Sequence, residues 1–227
     1  MKKTILSIVF SLALVMPMVG LAEDATTTAT TTQRELKTQI QELKQEYSER
    51  LKQAREEFQN KIQAIKEELK TKLQDAKDKL RVKLQKVKDQ KKISSVENIN
   101  DQLQKLNERW TDHFVDVIDH LSDVLVKIGG RADKLSVNNV NVASVKNLMN
   151  TASTTIASAR TAIATQAAKV YTINVTTETN LKTDVGKTRQ ALHSDLVKLR
   201  DIVFGARNAV HNAAQELSKL ATSTQNN

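Results

Sequence analysis

The stretch Arg34–Val87, RELKTQIQELKQEYSERLKQAREEFQNKIQAIKEELKTKLQDAKDKLRVKLQKV, decides the fold. Its apolar residues fall in three columns. Leu36, Tyr47, Phe58, Leu69 and Leu80 form the first. Ile40, Leu51, Ile62, Leu73 and Leu84 form the second, and Leu43, Ala54, Ile65, Ala76 and Val87 the third. Each column steps by eleven residues. Eleven residues in three turns is about 3.67 per turn, close to the natural helical repeat, so the columns merge into one nearly straight apolar seam with a weak right-handed drift. The positions between are mostly Lys, Arg, Glu and Gln, which favour helix. The pattern predicts one long helix over 34–92, roughly 85 Å at about 1.5 Å per residue. So polar a helix is marginal alone in water, and its seam, Leu36–Val87, calls for self-association or another helical protein.

Upstream, residues 23–33 contain six Thr interrupted by Ala29 and bury nothing apolar, which predicts a disordered Thr-rich linker. Residues 1–22 read as a secretory signal peptide. Lys2 and Lys3 precede the apolar run Ile5–Met16, Pro17 breaks it, and Gly20-Leu21-Ala22 supplies small residues for cleavage near Ala22. The expected destination is periplasmic or extracellular, with no transmembrane segment in the mature chain.

Downstream, Lys91–Ser95 breaks the phase, and Ser94 with Glu97 forms a capping-box pattern. The break allows either a hinge or a stutter in a continuous helix. Ile99, Leu103, Leu106, Trp110, Phe114, Val117, Leu121, Leu125 and Ile128 then predict a helix over about 95–129, with Trp110 in the core and Gly129-Gly130 as its stop. Asn141 is placed to cap a second helix, about 141–169. Val170–Thr176 is β-branched and alternating, the only strand-like stretch, and reads as an extended crossover or a poor helical segment. A third helix is expected over about 177–220, then a disordered tail, 222–227. The expected fold is all-α: a coiled-coil-like N-terminal helix projecting from an antiparallel three-helix bundle over 93–221.

Composition supports helix. The chain has 227 residues, 5 Gly, a single Pro and 3% aromatics. It contains no Cys, which excludes disulfides, thiolate metal sites and Cys nucleophiles. The stretches Glu108–Phe114, Ala159–Ala167 and Val170–Ile173 resemble uncharacterised secreted helical coiled-coil proteins of candidate-phylum, Patescibacteria-type bacteria. The resemblance covers most of the chain from about Arg34. It implies no activity, and no functional residue is carried over from it.

Charge is uneven. Residues 34–69 balance, whereas 70–92 hold ten Lys or Arg against three Asp, nearly all of the formal +9. Lys77, Lys79, Arg81, Lys83, Lys86 and Lys88 are therefore the candidate contacts for an anionic polymer or membrane surface. No aromatic interleaves them, which argues against nucleic acid. Asp112, Asp116, Asp119 and Asp123 share a helix face beside His113 and His120. His113, Asp116 and His120 have metal-ligand spacing, but the favoured reading is an acidic edge paired with Lys or Arg of a neighbouring helix. His193 and His211 have no triad-like partners. No phosphate loop, nucleophile elbow or cofactor motif is present, so no catalytic, cofactor-binding or metal residue and no small-molecule substrate is expected. The expectation is a non-enzymatic structural or interaction protein of the cell envelope, acting through helix–helix association. The alternatives are a periplasmic holdase or an anionic-surface binder using 70–92.

Overall fold

A computed structural model of the chain describes residues 25–225. The expected signal peptide lies outside them. Four helices make up the structure: α1 (Ala25–Leu84), α2 (Gln90–Val137), α3 (Ala143–Ala167) and α4 (Leu181–Gln225). Among the described residues there is no strand, so the protein is all-α. The helix of α1 continues through residues 25–33, since extending a formed helix needs no new nucleus.

The seam helix does not project. It ends at Leu84, the chain turns over 85–89, and α2 runs back along it. Side-chain pairs fix the register: Arg55 with Asp123, Gln59 with Asp119, Lys66 with Asp112, Lys77 with Asp101 and Arg81 with Glu97. Every step forward along α1 matches an equal step back along α2, which is antiparallel packing. From Tyr47 to Val87 the seam residues are buried or half-buried, and Phe58, Ile62, Leu80, Leu84 and Val87 are in the core. The seam's partner along this length is therefore α2 of the same chain. The side chains of Leu36, Ile40 and Leu43 lie outside those described.

The reversal is neither a hinge nor a stutter at Lys91–Ser95. Asp89 caps α2, its carboxylate accepting from the backbone N–H groups of Lys91 and Lys92 at 2.9 and 3.3 Å. Ser94 and Ser95 lie inside the helix, donating to the carbonyls of Gln90 and Lys91. Gly129-Gly130 does not stop α2 either. A Cβ at Gly129 would stand 2.9 Å from Met149 Cε and 3.8 Å from the Tyr47 ring, so this glycine lets three helices approach. The helix ends at Asn138. Asn139, at φ 59°, takes the left-handed turn, and the N–H groups of Asn139 and Val140 close on Ser136 and Leu135 in a Schellman arrangement. The cap of α3 is Val142, not Asn141, and makes no side-chain bond; Asn141, one residue earlier, accepts from Ala143 N–H at 3.0 Å.

Helices α2, α3 and α4 each contact the other two, and α1 contacts α2 and α3. Among the described residues α1 and α4 do not approach within 8 Å at Cα, so they flank the central α2–α3 pair. Residues 168–180 link α3 to α4 without regular structure. Their alternation is that of an extended crossover: Tyr171, Ile173 and Val175 are buried, and Asn174 and Thr176 face out. They join Leu80, Leu84, Val96, Leu103, Leu181 and Leu192 in one core cluster. A second, larger cluster runs from Phe58 and Phe114 to Leu217.

Buried polar groups tie the crossover down. Asn100 Oδ1 accepts from Ile173 N–H, and Gln104 donates to the Tyr171 carbonyl. Asn107 and Gln166 bond each other, and Gln166 donates to the Tyr171 hydroxyl, which donates to Asp195 at 2.7 Å. Lys169 and Tyr171, both bonded to Asp195, hold its carboxyl below the usual range. One charge pair lies deep: Arg160 is 3.9 Å from Asp119, donates to Ser122 at 3.0 Å, and covers the Phe58 ring at 5.6 Å.

The Tyr47 hydroxyl is buried without a hydrogen-bond partner among the described residues, and burial pushes its pKa up to about 12. The folded state thus favours the neutral phenol. The stability held by that phenol is complete below its ordinary pKa of 10.0 and is lost as pH rises from there through about 12. Tyr47→Phe removes the unpartnered hydroxyl. We expect urea unfolding to show a gain of roughly 1 kcal/mol at neutral pH and a shallower alkaline decline. A loss of stability in Tyr47→Phe at neutral pH would contradict this placement.

Candidate functional site: a groove between α2 and α4

The two core clusters meet where α3 ends and Asn107 bonds Gln166. On the outer surface at this level, a groove of about 500 Å³ opens between α2 and α4. Its floor is apolar, with Leu103, Leu106, Phe114, Leu192, Leu196 and Val197. Trp110 stands on one wall. It is 41% exposed, a correction to its expected core position. The apolar stripe of α2 is wider than its neighbours cover, and Trp110 occupies the uncovered edge. Its ring packs against Phe114 at 5.6 Å and edge-on to His113 at 5.9 Å, which sets the indole in place while leaving it open to solvent.

The opposite wall belongs to α4. Arg189, His193, Val197 and Arg200 line it, and Phe204, Arg207 and His211 continue the same face beyond it at steps of three and four, apart from the core face of Leu199, Val203 and Val210. Phe204 is 48% exposed and lies under the Arg207 guanidinium at 5.7 Å. Arg200 pairs with its neighbour Asp201 at 2.8 Å, an exposed contact that is easily exchanged. Arg189 has no ion pair among the described residues. Among the described residues no Asp or Glu lines the groove. Its chemistry is apolar contact flanked by guanidinium groups.

This face was missed in the sequence. The signal was there, in that Val197 and Phe204 fall outside the α4 core seam at helical spacing from each other.

The six sequence candidates lie elsewhere, at the α1–α2 turn. Lys77 pairs with Asp101 at 3.0 Å and Arg81 with Glu97 at 3.4 Å, and Lys83 bonds Asn174. The Lys88 backbone N–H donates to Glu178, and this bond with one from Lys92 holds the Glu178 carboxyl below its usual range. Lys79 and Lys86 are exposed and carry no ion pair among the described residues. The acidic edge of α2 meets cations of α1: Asp112 with Lys66 at 2.7 Å, and Asp119 and Asp123 with Arg55, both at 3.1 Å. Among the described residues no group of three or more His, Asp or Glu is placed to hold a metal ion.

Comparison with protein families, with characterised proteins and with solved structures finds no match.

Trp110 is the chain's only Trp, so its emission reports directly on this wall. The folded protein should emit at a solvent-exposed wavelength and be readily quenched by acrylamide. A blue, quench-resistant emission would mean that Trp110 is in the core and that the groove does not exist.

Proposed function

We propose that this chain is a non-enzymatic, exported interaction protein of the cell envelope that works by helix–helix association, with the α2–α4 groove as its docking face for a helix of another protein. The observation that carries the reading is Trp110. A large aromatic left open beside Leu106, Leu196 and Val197 is a ready anchor site, and a groove between two helices fits an amphipathic helix. The seam, the other apolar face in the sequence, is already covered by α2 from Tyr47 onward. Export rests on the sequence of residues 1–22. Among the described residues no helix is long and apolar enough to cross a membrane.

A second reading, the anionic-surface binder, keeps Lys79 and Lys86, with Val82 61% exposed between them. It is the less supported, because Lys77, Arg81, Lys83 and Lys92 are engaged within the chain.

The test is a titration with an uncharged amphipathic peptide of about 18 residues, Leu at i, i+3, i+4 and i+7 on Ala and Gln. Saturable blue-shifting of Trp110 emission is expected, weakened in Val197→Gln and Phe204→Ser with helicity unchanged. No shift up to about millimolar peptide would remove the reading.

A further inference from the structure

We infer that the helix taken by the α2–α4 groove is an acidic one, with an apolar edge on Trp110 and Val197 and carboxylates on both sides. This rests on the groove being a helix-docking face and adds the charge of the occupant.

Charge complementarity along a defined length selects the occupant. Arg189, Arg200 and Arg207 are spaced by eleven and seven residues, three turns and two, so they stand in one row for about 27 Å of α4. His193 and His211 lie in the same row, five turns apart. On α2 the exposed edge beside Trp110 carries Arg109, His113 and His120. His193 lines the groove, and His113 packs edge-on against Trp110 on the other wall. Of the nearby carboxylates, Asp116 on this α2 edge carries no ion pair among the described residues, and the others are occupied. Asp112 and Glu108 face Lys66 of α1, Asp195 holds Lys169 and Tyr171, and Asp201 sits on Arg200. A basic helix would meet like charge along the α4 rim, and an acidic one would meet guanidinium groups at Arg189 and Arg207 that carry no ion pair among the described residues.

The concave shape favours a helix over a bilayer. Interfacial membrane binding needs apolar side chains that protrude past their cationic neighbours. Here Leu106, Leu196 and Val197 are half-buried between two helices, and the Arg side chains flank them. A second copy of this chain would offer Val82 among lysines and Phe204 under Arg207, both disfavoured by charge, or Ile202 beside Asp201.

The experiment uses the chain without residues 1–22 and three forms of the same peptide: Glu-flanked, Lys-flanked, and Glu-flanked with its Leu changed to Ser. Trp110 emission is the readout, with sedimentation in parallel. The Glu-flanked form should bind about tenfold more tightly than the Lys-flanked form, as a few exposed ion pairs allow, and raised salt should remove the difference. The Leu-to-Ser form should not bind. Arg189→Gln with Arg207→Gln should abolish the preference, and Arg189→Glu with Arg207→Glu should invert it.

Equal binding of the Glu- and Lys-flanked forms overturns the acidic occupant and leaves the docking face standing. No binding of either, nor of the uncharged peptide, overturns both. A blue shift with phosphatidylglycerol vesicles and none with peptide assigns the face to a bilayer instead. A concentration-dependent dimer that buries Trp110 assigns it to a second copy.

Discussion

An apolar edge that repeats every eleven residues stays on one side of a helix for its whole length, so it must be covered along its whole length. In this protein the coverage comes from inside the chain. A five-residue turn over 85–89 sends α2 back along α1, and the ladder from Arg55–Asp123 to Arg81–Glu97 keeps the two edges in register. The exposed pairs of that ladder contribute little energy individually. Their role is alignment, and the stabilisation comes from Phe58, Ile62, Leu80 and Leu84 leaving water, roughly 2 kcal/mol for each side chain fully buried. Of the ten Lys and Arg over 70–92, four belong to this ladder or to the crossover contacts: Lys77, Arg81, Lys83 and Lys92.

The remaining architecture follows from a mismatch of lengths. α2 and α4 have 48 and 45 residues, and α3 has only 25. An extended chain covers more than twice the distance per residue that a helix does, so residues 168–180 complete the side that α3 leaves short. Tyr171, Ile173 and Val175 supply the apolar filling, and Asn100, Gln104 and Asn107 satisfy the backbone and side-chain groups of a segment with no ladder of its own. The groove lies beside this change of filling, where the wide apolar stripe of α2 outruns its cover.

Most of the helical character was legible in the sequence, because period and composition are local properties. The seam of α1, the alternation of Val170–Thr176 and the acidic edge of α2 all follow from spacing. The path of the chain was not. The reversal at 85–89 contains no Gly or Pro, and its cap, Asp89, sits among lysines where the Ser94–Glu97 pattern was the stronger local signal. Gly129 resembled a helix stop because its true reason, Met149 Cε where a Cβ would need room, belongs to another helix. Trp110 occupies a seam position by spacing, and only the width of the neighbouring helices leaves it open. Each of these features is decided by tertiary packing, which spacing along one helix does not encode.

The return of α1 along α2 is the claim on which everything else stands, and one distance measures it. Lys52 and Lys127 are exposed and border the same small surface pocket between α1 and α2. Spin labels at these two positions, introduced as Cys into a chain that has none, should lie within about 30 Å, an interaxial spacing of about 10 Å plus two label arms. Dilution with unlabelled protein should leave that distance unchanged. A projecting, continuous helix would put them roughly 110 Å apart at about 1.5 Å per residue, and loss of the short distance on dilution would show that a second chain supplies the partner. Either result would contradict the account.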